Sequence, residues 1–472
     1  MCDKPNQPII VNDVHAKLNV TAMQRLVLPT TATEVIAAVT KANKEGCALS
    51  IAGGRHAMGG QQFVTEGVLL DLSRLNKLEQ FDPVLGQVRV QAGIQWPDLM
   101  RKLHVMQHGS KRQWGIRQKQ TGADRLSIGG AIAANIHGRG LDMAPFVADL
   151  ISFDLVDASG TLRHCSRQQH AELFRLVVGG YGLFGVVVSA TLQLAIRQQV
   201  VREVELCSLA EMIDAVPQRI AAGYLYGDFQ FETAPESAGF LCQGVFSCYR
   251  PVAAVPVPNG QLRLSKLNWQ KLLVLAHTDK AAAFSQFSQF YLASNGQRYW
   301  SDSHQLSIYL DDYHLALDQE LARGCAGSEM ITELYVPVSA LQHFMADCAD
   351  DFRQHNVDLI YGTVRIIRQD TETALAWARQ DYACVIFNLH IDHHSVAIAA
   401  AARHFRRLID IAIRYQGSYF LTYHPFATKQ QVLACYPQFA DFLQQKRRFD
   451  PALRFQSNWY RHYSEMFKEE LL

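Results

Sequence analysis

A histidine set among glycines is the first group in this chain whose type and spacing suggest chemistry. In LSIAGGRHAMGGQQ (Leu49–Gln62), His56 stands between Gly53-Gly54 and Gly59-Gly60, with apolar runs on both sides. Glycines between strands let the backbone approach a ligand closely and take positive φ angles. Such a loop groups several N–H donors and suits an anion such as a pyrophosphate. His56 itself is a loop histidine bonding nearby backbone, a noncovalent ligand contact, or a nucleophile for a covalent bond.

Two further glycine regions follow. TGADRLSIGGAIAANIHGRG (Thr121–Gly140) is dominated by small residues after Ser127, so its backbone can press against a flat ligand. Asn135 and His137 are its polar exceptions. Gly179–Gly185 (GGYGLFG) contains a GxGxxG string at Gly180, Gly182 and Gly185. The residues after it, VVVSATLQL, are β-branched and alternating, which is a strand; a Rossmann fingerprint needs a helix there, so that reading fails.

Further on, Glu333 in ITELYVP and Arg365 in TVRII are charges inside apolar strand patterns, which need partners. They either pair with each other or line a site together. In FNLHIDHH, His390, Asp392 and His394 share one strand face, a spacing that suits two histidines and a carboxylate on a metal. Metal sites usually gather ligands from separate elements, so no metal is expected and His390 is taken as a substrate contact. Tyr423 and His424 stand together before Pro425.

The elements that must position these groups alternate between strand and helix. Residues 29–47 predict a helix with Thr31 as N-cap, Glu34 completing a capping box and Gly46 as the stop; Val35, Ile36, Val39 and Ala42 form its apolar stripe. Short strands are expected at Leu69–Leu72, Val88–Ala92, Leu150–Asp157 and Val186–Leu194, with a helix at Trp96–Leu103. The middle of the chain alternates as strands at Gly227–Phe231, Gly244–Tyr249 and Ile331–Pro337. At 472 residues the chain needs more than one core.

Composition narrows the partners. Lys plus Arg number 45 against 44 Asp plus Glu, so no general field attracts nucleic acid. No apolar run approaches the roughly 18–20 residues of a membrane span, and the N-terminus lacks a signal-peptide core. Ten scattered cysteines with no CxxC pair read as reduced thiols, and a cytoplasmic location is expected.

Taken together, GGRHAMGG, SIGGAIAANIHGRG, LVDASG and ELFRLVVGGYGLFGVV resemble the vanillyl-alcohol-oxidase type of FAD-binding flavoprotein, the FAD-linked oxidase or PCMH-type fold. FDPALRFQSNWYRHY (Phe449–Tyr463) is similar to the terminal segment by which these enzymes return to the flavin. The resemblance implies an α+β fold. A two-subdomain α/β PCMH-type FAD-binding domain (25–200) follows an N-terminal segment (1–24). A cap or substrate domain with an antiparallel sheet flanked by helices spans 201–424, and a C-terminal segment (425–472) returns to the FAD domain.

The same resemblance assigns FAD contacts to Gly53, Gly54, Arg55, His56, Ala57, Gly59 and Gln61, and to Thr121, Gly122, Ser127, Gly129, Gly130, Ala134, Asn135, His137 and Gly138. Gly180, Gly185 and Val187 join them, although a glycine bend entering a strand needs no ligand. Asn458, Tyr460 and His462 are expected at the isoalloxazine ring. Relatives with covalent flavin commonly show Gly-x-Gly-His-Ser where this chain has Gly53-Gly54-Arg55-His56-Ala57, so covalent FAD through His56 is an expectation with two departures. No cysteine stands in Thr121–Gly130, so at most one bond is expected.

The implied activity is hydride transfer from a CH–OH group of a small polar substrate (sugar, alditol, lactone or other alcohol) to flavin N5. Reoxidation is by O2 or another acceptor; a bulky Ile136 beside the flavin would restrict O2. The expected bases are His424, Tyr423 and Glu333 in falling order, with Arg365 and His390 as further site residues. The alternatives are a flavin-binding protein without turnover, and oxidation of a hydroxy acid or amine. Oligomeric state is not legible.

Overall fold

The computed structural model describes residues 8–120, 122, 124–258, 260–304, 310 and 312–471. Thr121, expected at the flavin, lies outside the described residues.

The helix Ala32–Glu45 begins where the sequence predicts. The Thr31 side chain accepts the Glu34 N–H, and Gly46 ends the helix at φ 72°. Glu34 takes the N–H of Thr30 at 2.7 Å, one residue before the position a capping box requires. The buried stripe is Val35, Val39 and Ala42. The strand after it, Leu49–Ala52, pairs in parallel with Val68–Asp71, which also pairs with Arg25–Val27. This small parallel sheet carries the first glycine loop at its end.

A second, five-stranded sheet has the order Leu162–Ser166, Leu150–Val156, Val186–Gln193, Gln87–Gln91, Leu78–Asp82. Between its strands the chain forms the short helix Ile128–Ala134, capped by Ser127. The GxGxxG string does lead into a strand, Val186–Gln193.

From Gln199 the chain builds a third sheet of eight strands. Its order is Arg298–Trp300, Gln199–Ser208, Gln243–Val252, Tyr226–Phe231, Leu359–Ile367, Tyr382–Asp392, Gly327–Val336, Ser418–Tyr419. All seven neighbouring pairs of these strands are antiparallel. The helices Lys266–Thr278 and Lys280–Ala293 pack on each other over one face of it. Ser395–Arg414 and Leu341–Gln354 belong to the same part of the fold.

The chain end returns to the first sheet. Leu49 bridges Phe455 in parallel, with its N–H donating to Arg454 at 2.6 Å and its carbonyl accepting from Gln456 at 2.8 Å. Among the described residues, no helix is long and apolar enough to cross a membrane. The eight described free cysteines are Cys165, Cys207, Cys242, Cys248, Cys325, Cys348, Cys384 and Cys435.

Candidate active site

One cavity of about 530 Å³ runs from the glycine loops to the eight-stranded sheet. Its first half is lined by Gly53, Gly54, Arg55, His56, Ala57 and Gln61 from the first loop, and by Gly122, Ser127, Gly129, Gly130 and Ala134 from the second. Tyr181, Gly182, Gly185 and Val187 close the third side, and Ile136 also reaches it. Close packing explains several glycines. A Cβ on Gly53 would lie 2.0 Å from Ser127 Oγ, and one on Gly129 would lie 3.0 Å from the Ala92 Cβ. Arg55 replaces a glycine of the covalent pattern and sits at φ 58°, the left-handed region that glycine favours. Its guanidinium is held by Asp71 at 2.6 Å.

His56 meets a second histidine that the sequence did not single out. His56 Nδ1 lies 2.8 Å from His15 Nε2, and both rings line the cavity. Burial lowers both pKa values, His15 to about 4 and His56 well below its ordinary value, where the charge of His15 adds to the effect. Both imidazoles are therefore neutral at pH 7.

The second half of the cavity centres on Glu333, on the strand Gly327–Val336. Its Oε1 accepts from His137 Nε2 at 2.6 Å and from the Tyr335 hydroxyl at 2.5 Å; its Oε2 accepts from Tyr423 at 3.0 Å. Burial alone would raise the Glu333 pKa. The His137 charge and hydrogen bond, the Tyr335 hydroxyl and the more distant Arg365 outweigh it and hold the carboxyl at about 2. His137 Nδ1 lies 2.9 Å from the Gly138 carbonyl, which only accepts, so that nitrogen donates. Tyr423 is pushed well above its usual range by burial and by Glu333, so it stays a donor. Arg365 offers one long bond to the Gly138 carbonyl at 3.4 Å, and its buried Nε has no partner among the described residues. The pairing of Glu333 with Arg365 is thus replaced by a His137–Tyr335–Tyr423 shell, and both charges line the cavity.

Several expected residues are elsewhere. His424 does not line the cavity: its ring stacks on Phe426 at 5.4 Å and meets Phe405 edge-on, because the chain turns between Tyr423 and His424. Burial holds it neutral, with a pKa of about 4, and neither ring nitrogen has a partner among the described residues. Asn135 is fully buried behind the cavity as the left-handed end of its helix. It donates to Asp370 at 3.0 Å and accepts the Val147 N–H at 2.9 Å. Gly59, Gly138 and Gly180 stand off the cavity wall too. A Cβ on Gly59 would meet the Tyr423 carbonyl at 2.3 Å, and one on Gly180 the Leu176 carbonyl at 2.0 Å, so these two serve packing. Asn458, Tyr460 and His462 lie on the terminal helix Asn458–Met466, which braces the first loop from behind. Asn458 accepts the Thr65 N–H at 3.0 Å, and Tyr460 is buried beside Lys446.

His390 also stands off the wall. It clusters with His277 and Glu329, three residues from three elements whose ligand-type atoms lie within 4.8 Å of one another. Arg323 contacts His390 Nε2 and donates to His277 Nδ1 at 3.0 Å. A guanidinium only donates, so those two nitrogens accept and the opposite N–H of His277 points at Glu329, 2.9 Å away. Asp392 and His394 sit at the strand end, and His394 caps the next helix. Only Glu329 of the cluster reaches the cavity. His15, His277 and Glu329 escaped the sequence reading because nothing local distinguishes them. His137 and Glu333 were each legible, but not as a pair.

A glycine-walled cavity on a small parallel sheet and a five-stranded sheet, closed by an eight-stranded sheet, is the arrangement that the resemblance to FAD-linked oxidases implies. Residues 23–166 match the family described as an FAD binding domain, and the cofactor is FAD. The chain is 32% identical over 195 residues to an uncharacterized oxidoreductase of the fasciation locus of Rhodococcoides fascians, covering 41% of this chain and 42% of that protein. It is 33% identical over 177 residues to the decaprenylphosphoryl-beta-D-ribose oxidase of Mycolicibacterium smegmatis, 36% of each. To the L-gulonolactone oxidase of Mus musculus it is 26% identical over 166 residues, 35% of this chain and 36% of that one. The chain thus spans well under half the length of these curated relatives.

Proposed function

We propose that this protein oxidises a CH–OH group of a small polar substrate such as a sugar, alditol or lactone. The observation that carries the reading is the continuity of one cavity from the glycine walls to Glu333, Tyr423 and Arg365. The wall residues fit FAD: small side chains at Gly53, Gly54, Gly129, Gly130 and Ala134 leave room for a flat ring system and its chain. Bound there, FAD supplies the acceptor for the hydride, and O2 or another acceptor takes the electrons onward.

The chain's own work is to hold the donor carbon and manage one proton. A substrate hydroxyl between Tyr423 and Arg365 gives its proton to the Tyr423 oxygen as Tyr423 passes its own to Glu333 Oε2, along the 3.0 Å bond already present. The unpartnered Arg365 Nε stabilises the charge left on the substrate oxygen. Glu333 is a weak base at rest, so the transfer is driven by departure of the hydride rather than preceding it. Trp269, Leu272, Phe284 and Phe287 of the two helices over the cap sheet give this half of the cavity an apolar wall. Anaerobic mixing of the yellow protein with a panel of polyols, lactones and sugars tests this. Bleaching of the flavin by one of these classes supports the reading, and a flavin that none of them reduces opposes it.

A further inference from the structure

Beyond Glu333 the cavity continues along the cap sheet, and the polar atoms there have no partners. Facing positions follow from register: Glu333 pairs with Ile386, Ile331 with Asn388 and Glu329 with His390, while Tyr361 pairs with Asn388 on the other side. Strand alternation puts Glu329, Ile331, Glu333, Tyr361, Ile386 and Asn388 on the face that lines the cavity. Glu329 is four residues from Glu333 on one strand, about 13 Å along it. Over this interval Arg365 Nε, Gln230 Oε1, Tyr361 Oη, Asn388 Oδ1 and Glu329 Oε2 are all buried without a hydrogen-bond partner among the described residues.

Buried polar groups left in this state are costly unless a ligand or water satisfies them. A guanidinium nitrogen only donates, a carboxylate oxygen only accepts, and amides and phenols offer both roles. An uncharged group that both donates and accepts, such as the hydroxyl, satisfies every member of such a row. Above the row, Trp269, Leu272, Phe284 and Phe287 from the two lid helices form an apolar roof, fit for the C–H faces of a hydroxylated chain or ring.

We infer that this row is an extended subsite for a neutral polyhydroxylated substrate, which lies along it from Glu333 to Glu329 and is refused when its far end carries an anion. This deepens the CH–OH reading above and rests on it. The refusal comes from Glu329. Burial would raise its pKa, but the hydrogen bond from His277 and the neighbouring His390 lower it, so it is a carboxylate at neutral pH. Arg323, His277 and His390 are its charged or titratable neighbours, and none of them lines the cavity. An incoming carboxylate therefore meets Glu329 first, and like charges so placed repel strongly. At the near end the Glu333 carboxylate stands beside Arg365, so an anion gains little by entering the other way round.

The test uses the FAD-loaded protein and an alditol series of rising length, glycerol, xylitol and sorbitol, against gluconate as the anionic match for sorbitol. Binding is read from perturbation of the flavin absorbance and turnover from anaerobic bleaching. Sorbitol is expected to bind at least tenfold more tightly than glycerol, and gluconate at least tenfold more weakly than sorbitol. Asn388→Leu and the milder Tyr361→Phe should each weaken sorbitol about tenfold and leave glycerol nearly unchanged. Glu329→Gln should narrow the gap between gluconate and sorbitol. Equal binding of gluconate and sorbitol, or variants that weaken glycerol and sorbitol alike, would overturn the subsite. Sorbitol that binds in the predicted rank but never bleaches the flavin keeps the subsite and removes the CH–OH reaction. If no polyol binds, the subsite falls while the FAD assignment stands.

Discussion

His137 and Glu333 are 196 residues apart in sequence and joined by a 2.6 Å hydrogen bond at the seam between the FAD domain and the cap. His137 follows the helix Ile128–Ala134 and Glu333 stands on the strand Gly327–Val336 of the eight-stranded sheet, so the bond exists only when the two parts are docked. His137 belongs to the second glycine region, which walls the flavin half of the cavity, and Glu333 holds Tyr423 over the substrate half. The pair thus ties cofactor position to substrate position. Removing one member of a buried, hydrogen-bonded charge pair costs roughly 3–5 kcal/mol because the other is left uncompensated.

The first prediction separates the proton path from the docking role. Tyr423→Phe keeps the ring and removes only the hydroxyl that bonds Glu333 at 3.0 Å. Anaerobic flavin reduction should slow by about 10²-fold or more, the usual worth of a positioned proton-transfer group. The FAD content and melting temperature should stay close to wild type. Glu333→Gln should slow reduction similarly and, unlike Tyr423→Phe, lower the melting temperature by several degrees. A Tyr423→Phe protein that reduces its flavin at the wild-type rate removes Tyr423 from the path.

Acid stability should be set largely by buried histidines. The folded pKa of His424 is about 4 against an ordinary 6.5, and that of His15 is also about 4. A histidine whose folded pKa is depressed favours the unfolded chain as protons become available. Stability is therefore full above pH 6.5 and falls as pH drops from 6.5 to 4, by about 3 kcal/mol for His424 alone. Glu333 behaves with a lower window: its contribution is present above about 4.5 and is lost as pH falls toward 2. Denaturant melts of His424→Phe, whose ring suits the contacts with Phe405 and Phe426, should show a smaller loss between pH 6.5 and 4. An unchanged slope would show that His424 is hydrated in the folded protein.

Covalent attachment is a third test, and His15 sharpens it. His56 is neutral, buried and oriented by the 2.8 Å contact with His15, and a neutral imidazole is the form that can act as a nucleophile. Acid-precipitated wild-type protein is expected to keep its yellow colour, and His56→Ala should release FAD to the supernatant. Colour that leaves the wild-type protein in acid means FAD is held only by noncovalent contacts.

How much of this was legible beforehand follows from distance in sequence. The glycine loops and their order are local patterns, and so are the caps at Thr31 and Ser127. Glu333 and Arg365 stood out because a charge in an apolar strand demands an explanation. Their partners did not, since His137, Tyr335 and Tyr423 converge only through sheet register and domain docking. His424 misled because it adjoins Tyr423, yet the turn sends one side chain to the cavity and the other to Phe405 and Phe426. Asn135 misled because a polar residue among small ones also suits a helix end, and the terminal Asn458 and Tyr460 brace the loop rather than touch its ligand.

Asn135→Ala turns that correction into a measurement. It removes the bonds to Val147 and Asp370 and leaves alanine at φ 47°, where a left-handed conformation is unfavourable. A loss of about 2–4 kcal/mol in unfolding free energy is expected. FAD content per folded protein should hold, because the side chain does not reach the cavity. Selective loss of FAD without loss of stability would return Asn135 to the binding site.

The last prediction concerns how tightly the first loop fits the second. A methyl group on Gly53 would fall 2.0 Å from Ser127 Oγ and 2.9 Å from its Cβ. Rotating the hydroxyl relieves only the first clash, and Ser127 is needed where it is, since its oxygen accepts the Gly130 N–H at 3.2 Å. Gly53→Ala must therefore spread the two glycine walls apart. Overpacking of this kind costs roughly 1–3 kcal/mol. Because both walls line the same half of the cavity, much of that cost should appear as weaker FAD retention, an increase of ten- to a hundredfold in the dissociation constant of noncovalently held FAD. His56→Ala is the background in which to measure it, so that a covalent bond cannot mask the effect. Gly324→Ala, where an added Cβ meets nothing within 4 Å, is the matched control and should leave retention unchanged. Equal retention by both variants would mean that the walls flex freely and that their spacing does not select the cofactor.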